Sequence, residues 1–337
     1  MRSLTLEEIK LQRLHSQHLL QPTDTHTVVT DLCGVQAQFL SHALQGLSIR
    51  CTEVDTSGLI KSWTNRGTMH LFSANDLPLF LHRNRDHFLR PVDTMDSDAY
   101  IGAARKSYFA DLLITAIAEG TDQRDALKTL CKSKGMTDSE AKSLFDPWGG
   151  IIRALCEDGK ICHKVQETKA YQLCPSFVPT ERDVAQQELL RRYFSHFGPA
   201  TVKDAAYFFG WPQKQVRELM QHLQLESFVM DGRVFYSATS VSSDFDIPRC
   251  LFLAGFDQLM LGYEKTDNLF LPRQNLRDIF TFSGIVRPAL LIDGTIAGYW
   301  KLKDRKLTVT LFHDADRDLI PTTARILWPD IQSIKLE

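Results

Sequence analysis

The sequence predicts an α+β fold, mainly helical, with three tandem winged-helix units followed by a small C-terminal antiparallel β-barrel or sheet. Two observations predict this class. A set of helices followed by a β-ribbon occurs three times in succession, with three helices in the second and third sets, an order that is typical of the winged helix and of related helix-turn-helix units. Beyond residue 248, short apolar or alternating segments replace the helical periodicity, as expected for antiparallel strands. We therefore expect units at residues 1–102, 103–180, 181–247 and 248–337.

The first unit begins with an amphipathic pattern in which apolar residues recur at helical spacing. The predicted helices span Leu4–Leu20, Thr27–Cys33, Phe39–Gly46 and Asp55–Trp63. Thr56 and Ser57 supply an N-terminal cap for the last of these helices. The alternation over Arg66–Phe72 predicts a strand after them.

The second and third units repeat this order. The second has predicted helices at Ser107–Glu119, Asp122–Lys134 and Asp146–Asp158, then a ribbon of Gly159–Val165 and Ala170–Leu173. The third has predicted helices at Asp183–Phe197, Thr201–Phe209 and Pro212–Leu223, then strands at Ser227–Met230 and Arg233–Tyr236. Asp231-Gly232 joins these two strands, and this dipeptide favours the positive φ angles of a two-residue hairpin turn.

The C-terminal unit follows a polar linker at Thr239–Pro248. Its predicted strands lie in Arg249–Ala254, residues 288–302 and Lys306–Phe312. Asp293-Gly294 marks a hairpin within the middle segment.

The composition is that of an ordinary globular protein, with 43% hydrophobic and 24% charged residues among 337. A net charge of only -2 counts against a nonspecific nucleic-acid coat protein. No signal-peptide core and no apolar run of about 18 residues is present, so no membrane partner is expected. Seven scattered cysteines without a CxxC pair indicate neither a zinc site nor a disulfide framework. We expect a reduced, cytoplasmic monomer without a metal or cofactor.

The most informative short motif is Gln36-Ala37-Gln38, just after Gly34. A carboxamide holds a water or a ligand through its oxygen or its NH2 group, but it is not a strong base. Residues i and i+2 do not share a face of a regular helix, so a site here needs Gly34 to break the preceding helix. The alternative is that one glutamine satisfies a backbone group while the other faces solvent.

Four groups of residues, in order along nearly the whole chain, carry a resemblance to a known family. They are Val35–Phe39, Arg66–Leu71, Gly255–Tyr263, and Val286–Pro288 with Leu291–Gly294 and Gly298–Trp300. This combination resembles the AlkZ-like family of winged-helix DNA glycosylases, bacterial proteins that include enzymes acting on alkylated and crosslinked DNA. The resemblance implies double-stranded DNA containing alkylated bases as the partner.

In that family a glutamine–hydrophobic–glutamine motif is catalytic, which here corresponds to Gln36 and Gln38. A sister branch carries aspartate at the second position, so Gln38 places this chain with the AlkZ-like branch, although Ala37 is smaller than the usual middle residue. The resemblance implies a monofunctional glycosylase that hydrolyses the N-glycosidic bond of cationic N3- or N7-alkylated purines, with interstrand crosslinks as further substrates.

The chemistry of such a substrate suits a carboxamide pair. A cationic base leaves without protonation, so the protein needs to place a water and to stabilise an oxocarbenium-like sugar. Gln38 is the preferred water-holder with Gln36 as its partner, and the reverse assignment stays open. No lysine adjoins the motif to form a Schiff base. Lys61 is the nearest, on the following predicted helix, and is expected to be solvated.

Further residues are candidates for DNA contact or support. Arg66, Thr68 and His70 form one such group. For Arg66 a surface ion pair is the alternative, and for His70 the alternatives are support of the glutamine loop or a satisfied strand histidine. Within the basic run of residues 82–90, Arg83, Arg85 and Arg90 suit a phosphate track or a solvated helix face.

Two candidates lie just before the C-terminal strands. Tyr263 is a candidate DNA contact. Asp257 is expected to support the site or to form a structural hydrogen bond or ion pair.

Two other classes of function compete with the enzyme. One is a noncatalytic winged-helix DNA-binding regulator, and the other is a protein-binding repeat. A regulator needs an exposed basic recognition helix, but Thr201–Phe209 offers only Lys203 against Asp204.

Overall fold

The structure is a computed structural model that describes residues 2–64, 66–81, 101–146, 150–241, 245–314, 316 and 318–337. The chain divides into two compact units, the first of Met1–Asp55 with Gln187–Glu337 and the second of Thr56–Gln186. Helices and sheets are mixed, in agreement with the predicted α+β class. The winged-helix identity of the units and their limits at residues 102, 180 and 247 stay predictions.

Helices and strands occur in groups along the described chain. The helices are α1 (Leu6–Ser16), α2 (Thr25–Asp31), α3 (Leu40–Ser48), α4 (Leu77–Phe80), α5 (Ala103–Ala118), α6 (Arg124–Ser133), α7 (Asp138–Leu144), α8 (Gly150–Glu157), α9 (Arg182–His196), α10 (Val202–Phe209), α11 (Gln213–Met220), α12 (Gln258–Leu261), α13 (Leu276–Ile279) and α14 (Leu319–Leu327). The strands are β1 (Arg2–Ser3), β2 (Val35–Gln36), β3 (Leu59–Trp63), β4 (Met69–Ser73), β5 (Ile161–His163), β6 (Tyr171–Leu173), β7 (Glu226–Met230), β8 (Arg233–Ser237), β9 (Cys250–Phe252), β10 (Ala289–Ile292), β11 (Thr295–Lys303), β12 (Lys306–Leu311) and β13 (Ser333–Leu336). None of the helices in these ranges is both long and apolar enough to cross a membrane.

Local sequence signals set several of the helix ends. Thr5 and Glu8 form a reciprocal capping box at the start of α1. Thr201 and Asp204 form the same device at the start of α10, which ends where Gly210 adopts a left-handed φ of 69°. These caps explain why the boundaries of α10 agree closely with the predicted ones.

The hairpin of β7 and β8 confirms the predicted turn. Asp231 and Gly232 have φ angles of 49° and 70°, as a type I′ turn requires. Strand β1 pairs in parallel with β7 and extends the hairpin to a three-stranded sheet. The sequence analysis did not predict β1, because two residues carry no periodicity.

In the second unit, part of one predicted helix is a strand. Leu59–Trp63 is not the end of a helix but the strand β3, which pairs with β4 on one side and with β5 on the other. All five of its residues are buried. Backbone pairing along both edges of this short segment outweighs the capping signal of Thr56 and Ser57. Strands β5 and β6 pair with each other in the same unit. The unit also contains α7, which was not predicted. Helix α8 begins later than expected.

The C-terminal region forms an open five-stranded sheet in the order β13-β12-β11-β10-β9. Of the two predicted alternatives, the sheet is found and the barrel is not, because β13 and β9 are the edges of the described sheet. The pairing of β12 with β13 is parallel, so the sheet is not wholly antiparallel. Asp293 and Gly294, at φ of 44° and 72°, confirm the predicted hairpin between β10 and β11.

Candidate active site

The two glutamines lie on a short extended segment between α2 and α3. Helix α2 ends at Asp31, and Cys33 and Gly34 then adopt left-handed φ angles of 53° and 77°. The backbone N–H of Gly34 donates to the carbonyl of Val29 at 2.7 Å. Such a conformation suits glycine, and the predicted helix break at Gly34 is confirmed.

Burial alternates along this segment. Val35 and Ala37 are buried, while Gln36 and Gln38 are half-buried. Because successive side chains of an extended chain point to opposite faces, the two glutamines lie on the same face. The Nε2 of Gln36 donates to the Oε1 of Gln38 at 2.9 Å. The pair is therefore bonded to itself, unlike the alternative in which one glutamine satisfies a backbone group.

This hydrogen bond joins the NH2 group of Gln36 to the oxygen of Gln38 and leaves the other polar group of each amide available. Among the described residues, the Oε1 of Gln36 and the Nε2 of Gln38 have no hydrogen-bond partner. The pair can thus offer a wholly free carbonyl oxygen, from Gln36, and a wholly free NH2 group, from Gln38, to a water or to a substrate.

An aromatic group borders the pair. Phe39 follows Gln38 directly, is 47% exposed, and stacks on Phe256 with ring centroids 5.5 Å apart. His42 meets the edge of Phe39 at 5.9 Å, and burial lowers the pKa of His42, which keeps its imidazole neutral near pH 7. A Cβ atom at Gly255 would come within 2.9 Å of the His42 ring, so this glycine permits the close approach. An aromatic residue directly after the glutamines was the available sequence signal for this group.

Asp257 forms a buried ion pair rather than a surface contact. Its two carboxylate oxygens accept hydrogen bonds from Arg50 at 2.8 and 2.7 Å, and both side chains are almost wholly buried. Asp257 also caps α12 by accepting from the backbone N–H of Leu259. Arg50 donates in addition to the carbonyls of Gly46, in α3, and Gln17. The ion pair therefore ties the helix that follows the glutamines to the 255–261 segment.

Tyr263 is not a DNA contact, which corrects the sequence prediction. The side chain is completely buried. Its hydroxyl accepts from the Nε2 of Gln17 at 2.9 Å and donates to the carbonyl of Phe197 at 3.1 Å, and the Arg13 guanidinium lies 3.7 Å from the ring centroid. A ring enclosed in this way has no surface to offer to DNA.

His70 lies in β4 of the second unit and is also fully buried. Its Nδ1 lies 3.0 Å from the Thr64 hydroxyl and 2.9 Å from the carbonyl of Thr68. Burial and, to a smaller extent, the charge of Arg66 hold its pKa well below the ordinary value. This burial does not fit direct DNA contact by His70. The Nε2 of His70 is also buried without a hydrogen-bond partner among the described residues, so the alternative of a satisfied strand histidine is not found. Support of the glutamine loop stays a prediction.

Of the other candidate DNA contacts, two lie in the described part of the chain and three do not. Arg66 and Thr68 are half-buried in the β3–β4 hairpin, where Gly67 has a φ of 74°. Arg83, Arg85 and Arg90 lie outside the described residues.

The expectation that Lys61 is solvated is wrong. It is a buried residue of β3 rather than a solvated residue of a helix, and burial lowers its pKa.

A basic hairpin in the first unit was missed by the sequence analysis. Lys301, Lys303, Arg305 and Lys306 are all exposed at the β11–β12 turn, with Asp304 as the nearby acid. Asp304 and Arg305 have positive φ angles of 49° and 60°, which make the turn tight. The run Lys-Leu-Lys-Asp-Arg-Lys at residues 301–306 was the available signal.

Comparisons with known proteins agree on one family. The sequence model of the family described as "DNA glycosylase AlkZ-like" matches residues 29–326. An interstrand DNA cross-link repair glycosylase from Streptomyces sahachiroi is 26% identical over 338 residues, which cover 91% of this chain and 90% of that protein. The solved structure of Streptomyces sahachiroi DNA glycosylase AlkZ matches with a TM-score of 0.79 at 21% identity, covering 99% of each chain. This structural likeness shows a common fold.

We expect Asp257→Ala to lower the free energy of unfolding by about 3–5 kcal/mol, because it leaves the Arg50 guanidinium buried without its partner. Urea denaturation measures the change. Asp267→Ala is the matched control, because Asp267 pairs with Lys203 at the surface, where such pairs contribute about 0–1 kcal/mol. Equal losses in the two variants would contradict the structural role of the buried pair.

We also expect the protein to lose stability as the pH falls below about 6.5. Burial lowers the pKa of His163 to about 3 and lowers that of His70 in the same direction. The unfolded chain therefore binds protons in this range that the folded chain does not, so the free energy of unfolding falls with acidification.

His163→Gln is expected to reduce the loss of unfolding free energy between about pH 7.5 and 5.5 by about 1 kcal/mol, measured by urea denaturation. The exposed His222→Gln is the control, and identical pH dependence in His163→Gln and the native chain would refute the expectation.

Proposed function

The chain belongs to the AlkZ-like DNA glycosylase family, and from this premise we propose that it hydrolyses the N-glycosidic bond of cationic N3- or N7-alkylated purines in double-stranded DNA. The observation that carries the proposal is the hydrogen-bonded pair of Gln36 and Gln38, in which the Oε1 of Gln36 and the Nε2 of Gln38 are left for a ligand. A carboxamide is a weak base, so the pair suits a substrate whose base leaves easily. A monomeric state and a cytoplasmic location remain predictions.

The proposed reaction needs little proton transfer. The C1′–N bond breaks, and its electron pair neutralises the cationic purine. The oxygen of a water then bonds to C1′ and releases one proton to bulk water. The enzyme contributes by holding this water and by facing the oxocarbenium-like sugar with the negative end of an amide dipole.

The hydrogen bond between the glutamines favours Gln36 as the water-holder, the reverse of the assignment preferred from sequence. The Oε1 of Gln38 already accepts from Gln36, whereas the Oε1 of Gln36 is available. Donation through its Nε2 strengthens the acceptor of Gln36, since linked hydrogen bonds polarise one another. We assign the free Nε2 of Gln38 to the water oxygen or to the DNA backbone.

The partial exposure of Gln36 and Gln38 supports crosslinked DNA as one of the proposed substrates. A base joined to the opposite strand cannot swing fully into a closed pocket. Gln36 and Gln38 are only half-buried, and Phe39 beside them is exposed, so a base can be approached without enclosure. The cross-link repair glycosylase of Streptomyces sahachiroi is a relative, which adds to this argument. Phe39 supplies a surface on which a displaced base can stack.

We expect Gln36→Ala and Gln38→Ala to lower the single-turnover rate of base release by about 10²–10³-fold each, as does loss of a positioned donor in other enzymes. Duplexes that contain N7-methylguanine, N3-methyladenine or a nitrogen-mustard crosslink serve as substrates, and abasic sites are counted. Gln38→Glu is expected to retain more activity, because a carboxylate still accepts from the Nε2 of Gln36.

Gln45→Ala is the matched control for these variants, because Gln45 lies in α3 outside the pair. Undiminished release by both Gln36→Ala and Gln38→Ala would overturn the proposed site. Sequence-specific duplex binding without release of any lesion would favour the DNA-binding regulator.

We expect the enzyme to be monofunctional and to leave an intact abasic strand. The lowered pKa of Lys61 makes this amine the one to test, since a neutral amine attacks an aldehyde. Borohydride treatment during turnover is expected to trap no protein–DNA adduct, with a bifunctional glycosylase as positive control. An adduct that disappears in Lys61→Met would refute monofunctional hydrolysis.

The basic β11–β12 hairpin is proposed to contact DNA phosphates. Lys303→Ala with Arg305→Ala is expected to weaken duplex binding for every sequence and to reduce the slope of log affinity against log salt by about 2. Fluorescence anisotropy at several salt concentrations measures both. Lys134→Ala replaces an exposed lysine elsewhere, and a slope change as large in this control would contradict a specific role of the hairpin.

A further inference from the structure

Three potential metal ligands converge within the first unit, away from the chemistry assigned to the glutamines. The Nε2 of His18 lies 2.8 Å from one carboxylate oxygen of Asp31, and the Nε2 of His196 lies 3.3 Å from the other. All three ligand atoms are within 4.8 Å of one another. Ligands around a tetrahedral zinc ion at bond lengths of about 2.0–2.1 Å are separated by about 3.3 Å, so the cluster needs only small shifts to close on an ion.

A backbone carbonyl orients one imidazole of the cluster, that of His196, as imidazoles are oriented in metal sites. The Nδ1 of His196 lies 3.2 Å from the carbonyl of Ser16. A ring N–H bonded to a carbonyl leaves the lone pair of Nε2 free for a metal, an arrangement common among ligating histidines.

A helix-terminating turn fixes the position of one ligand. His18 has a φ of 60°, in the left-handed region that residues with a Cβ atom rarely adopt. Its backbone N–H donates to the carbonyl of His15 at 2.9 Å, just beyond the end of α1. The backbone N–H of Leu19 donates to the carbonyl of Leu14 at 3.0 Å, so His18 is the left-handed residue of a Schellman motif that ends α1.

A cavity lies directly beside the two imidazoles. It has a volume of about 410 Å³ and is lined by His18 and His196 together with polar side chains that include Gln12, Ser16 and Thr239. This volume leaves room for a water as the fourth ligand of an ion.

We propose that His18, Asp31 and His196 bind a divalent transition-metal ion of the zinc class, with water from the adjacent cavity as a further ligand. Two imidazoles and one carboxylate are a common donor set for zinc, and hard cations such as magnesium and calcium prefer oxygen ligands. The sequence contains no cysteine pair that would indicate a metal site, and these three residues come together only in the folded chain.

The ion has a defined structural effect. It joins His18, two residues beyond the end of α1, to Asp31 and His196, the last residues of α2 and α9. Asp31 is the last residue of the helix that precedes the break at Cys33 and Gly34. The ion therefore braces the start of the segment that carries Gln36. This inference is independent of the proposed reaction, because it concerns metal binding alone.

The experiment uses the full chain after dialysis against EDTA. Zinc is titrated by calorimetry, and the visible absorption of added cobalt(II) reports the geometry of the site. We expect one equivalent of either ion to bind, zinc to raise the thermal unfolding midpoint, and cobalt to show the strong absorption of a four-coordinate site. His18→Ala, His196→Ala and Asp31→Asn are each expected to weaken zinc binding by at least about 100-fold, the upper end of the loss from outer-shell changes.

His222→Gln, which removes an exposed histidine outside the cluster, is the control and is expected to bind zinc like the native chain. Asp31→Asn preserves the shape of the side chain and keeps the test valid if an alanine variant fails to fold, as judged by circular dichroism. If the native chain binds no zinc or cobalt, or if binding persists unchanged in Asp31→Asn, the proposal is overturned. The cluster is then an ion-paired contact among three helix ends.

Discussion

The alternation of burial from Val35 to Gln38 is the constraint on which the rest of the candidate site depends. Val35 and Ala37 are held in the interior, so Gln36 and Gln38 must lie together on the opposite face of the extended chain. A continuous helix from α2 to α3 would turn the two amides away from each other. The left-handed residues Cys33 and Gly34 prevent that helix, and the hydrogen bond between the amides follows from the resulting geometry.

Buried charges in the first unit support this short segment. Arg50 with Asp257 anchors the end of α3. Arg13 is also buried and donates twice to the carbonyl of Pro199 while its guanidinium covers Tyr263. Each of these guanidinium groups has hydrogen-bond acceptors, and removal of a partner would leave a charge in the interior. Such a scaffold suits a site whose catalytic groups are weak, because preorganised dipoles contribute only when they are held in place.

The sequence predicted the features that depend on local chemistry. The Asp231-Gly232 and Asp293-Gly294 turns, the extent of α10 and the helix break before Gln36 all follow from residues within a few positions. The glutamine pair was also found from sequence, because two amides beside a glycine are unusual in an apolar segment.

The features that sequence did not predict depend on contacts between distant residues. Leu59–Trp63 became a strand because neighbouring strands pair with both of its edges. Tyr263 and His70 were assigned to a DNA surface, but tertiary packing encloses both of them. The cluster of His18, Asp31 and His196 draws on three helix ends, and no spacing in the sequence indicates it.

The central claim is that a weak carboxamide acceptor is sufficient because the departing base carries a positive charge. The most direct measurement compares single-turnover release of N7-methylguanine and of the neutral base hypoxanthine from duplexes that are otherwise identical. Rapid release of the cationic base with no enzyme-dependent release of hypoxanthine is the predicted result. Comparable release rates for the two bases would contradict the claim, because a neutral purine needs an acid that the glutamine pair does not supply.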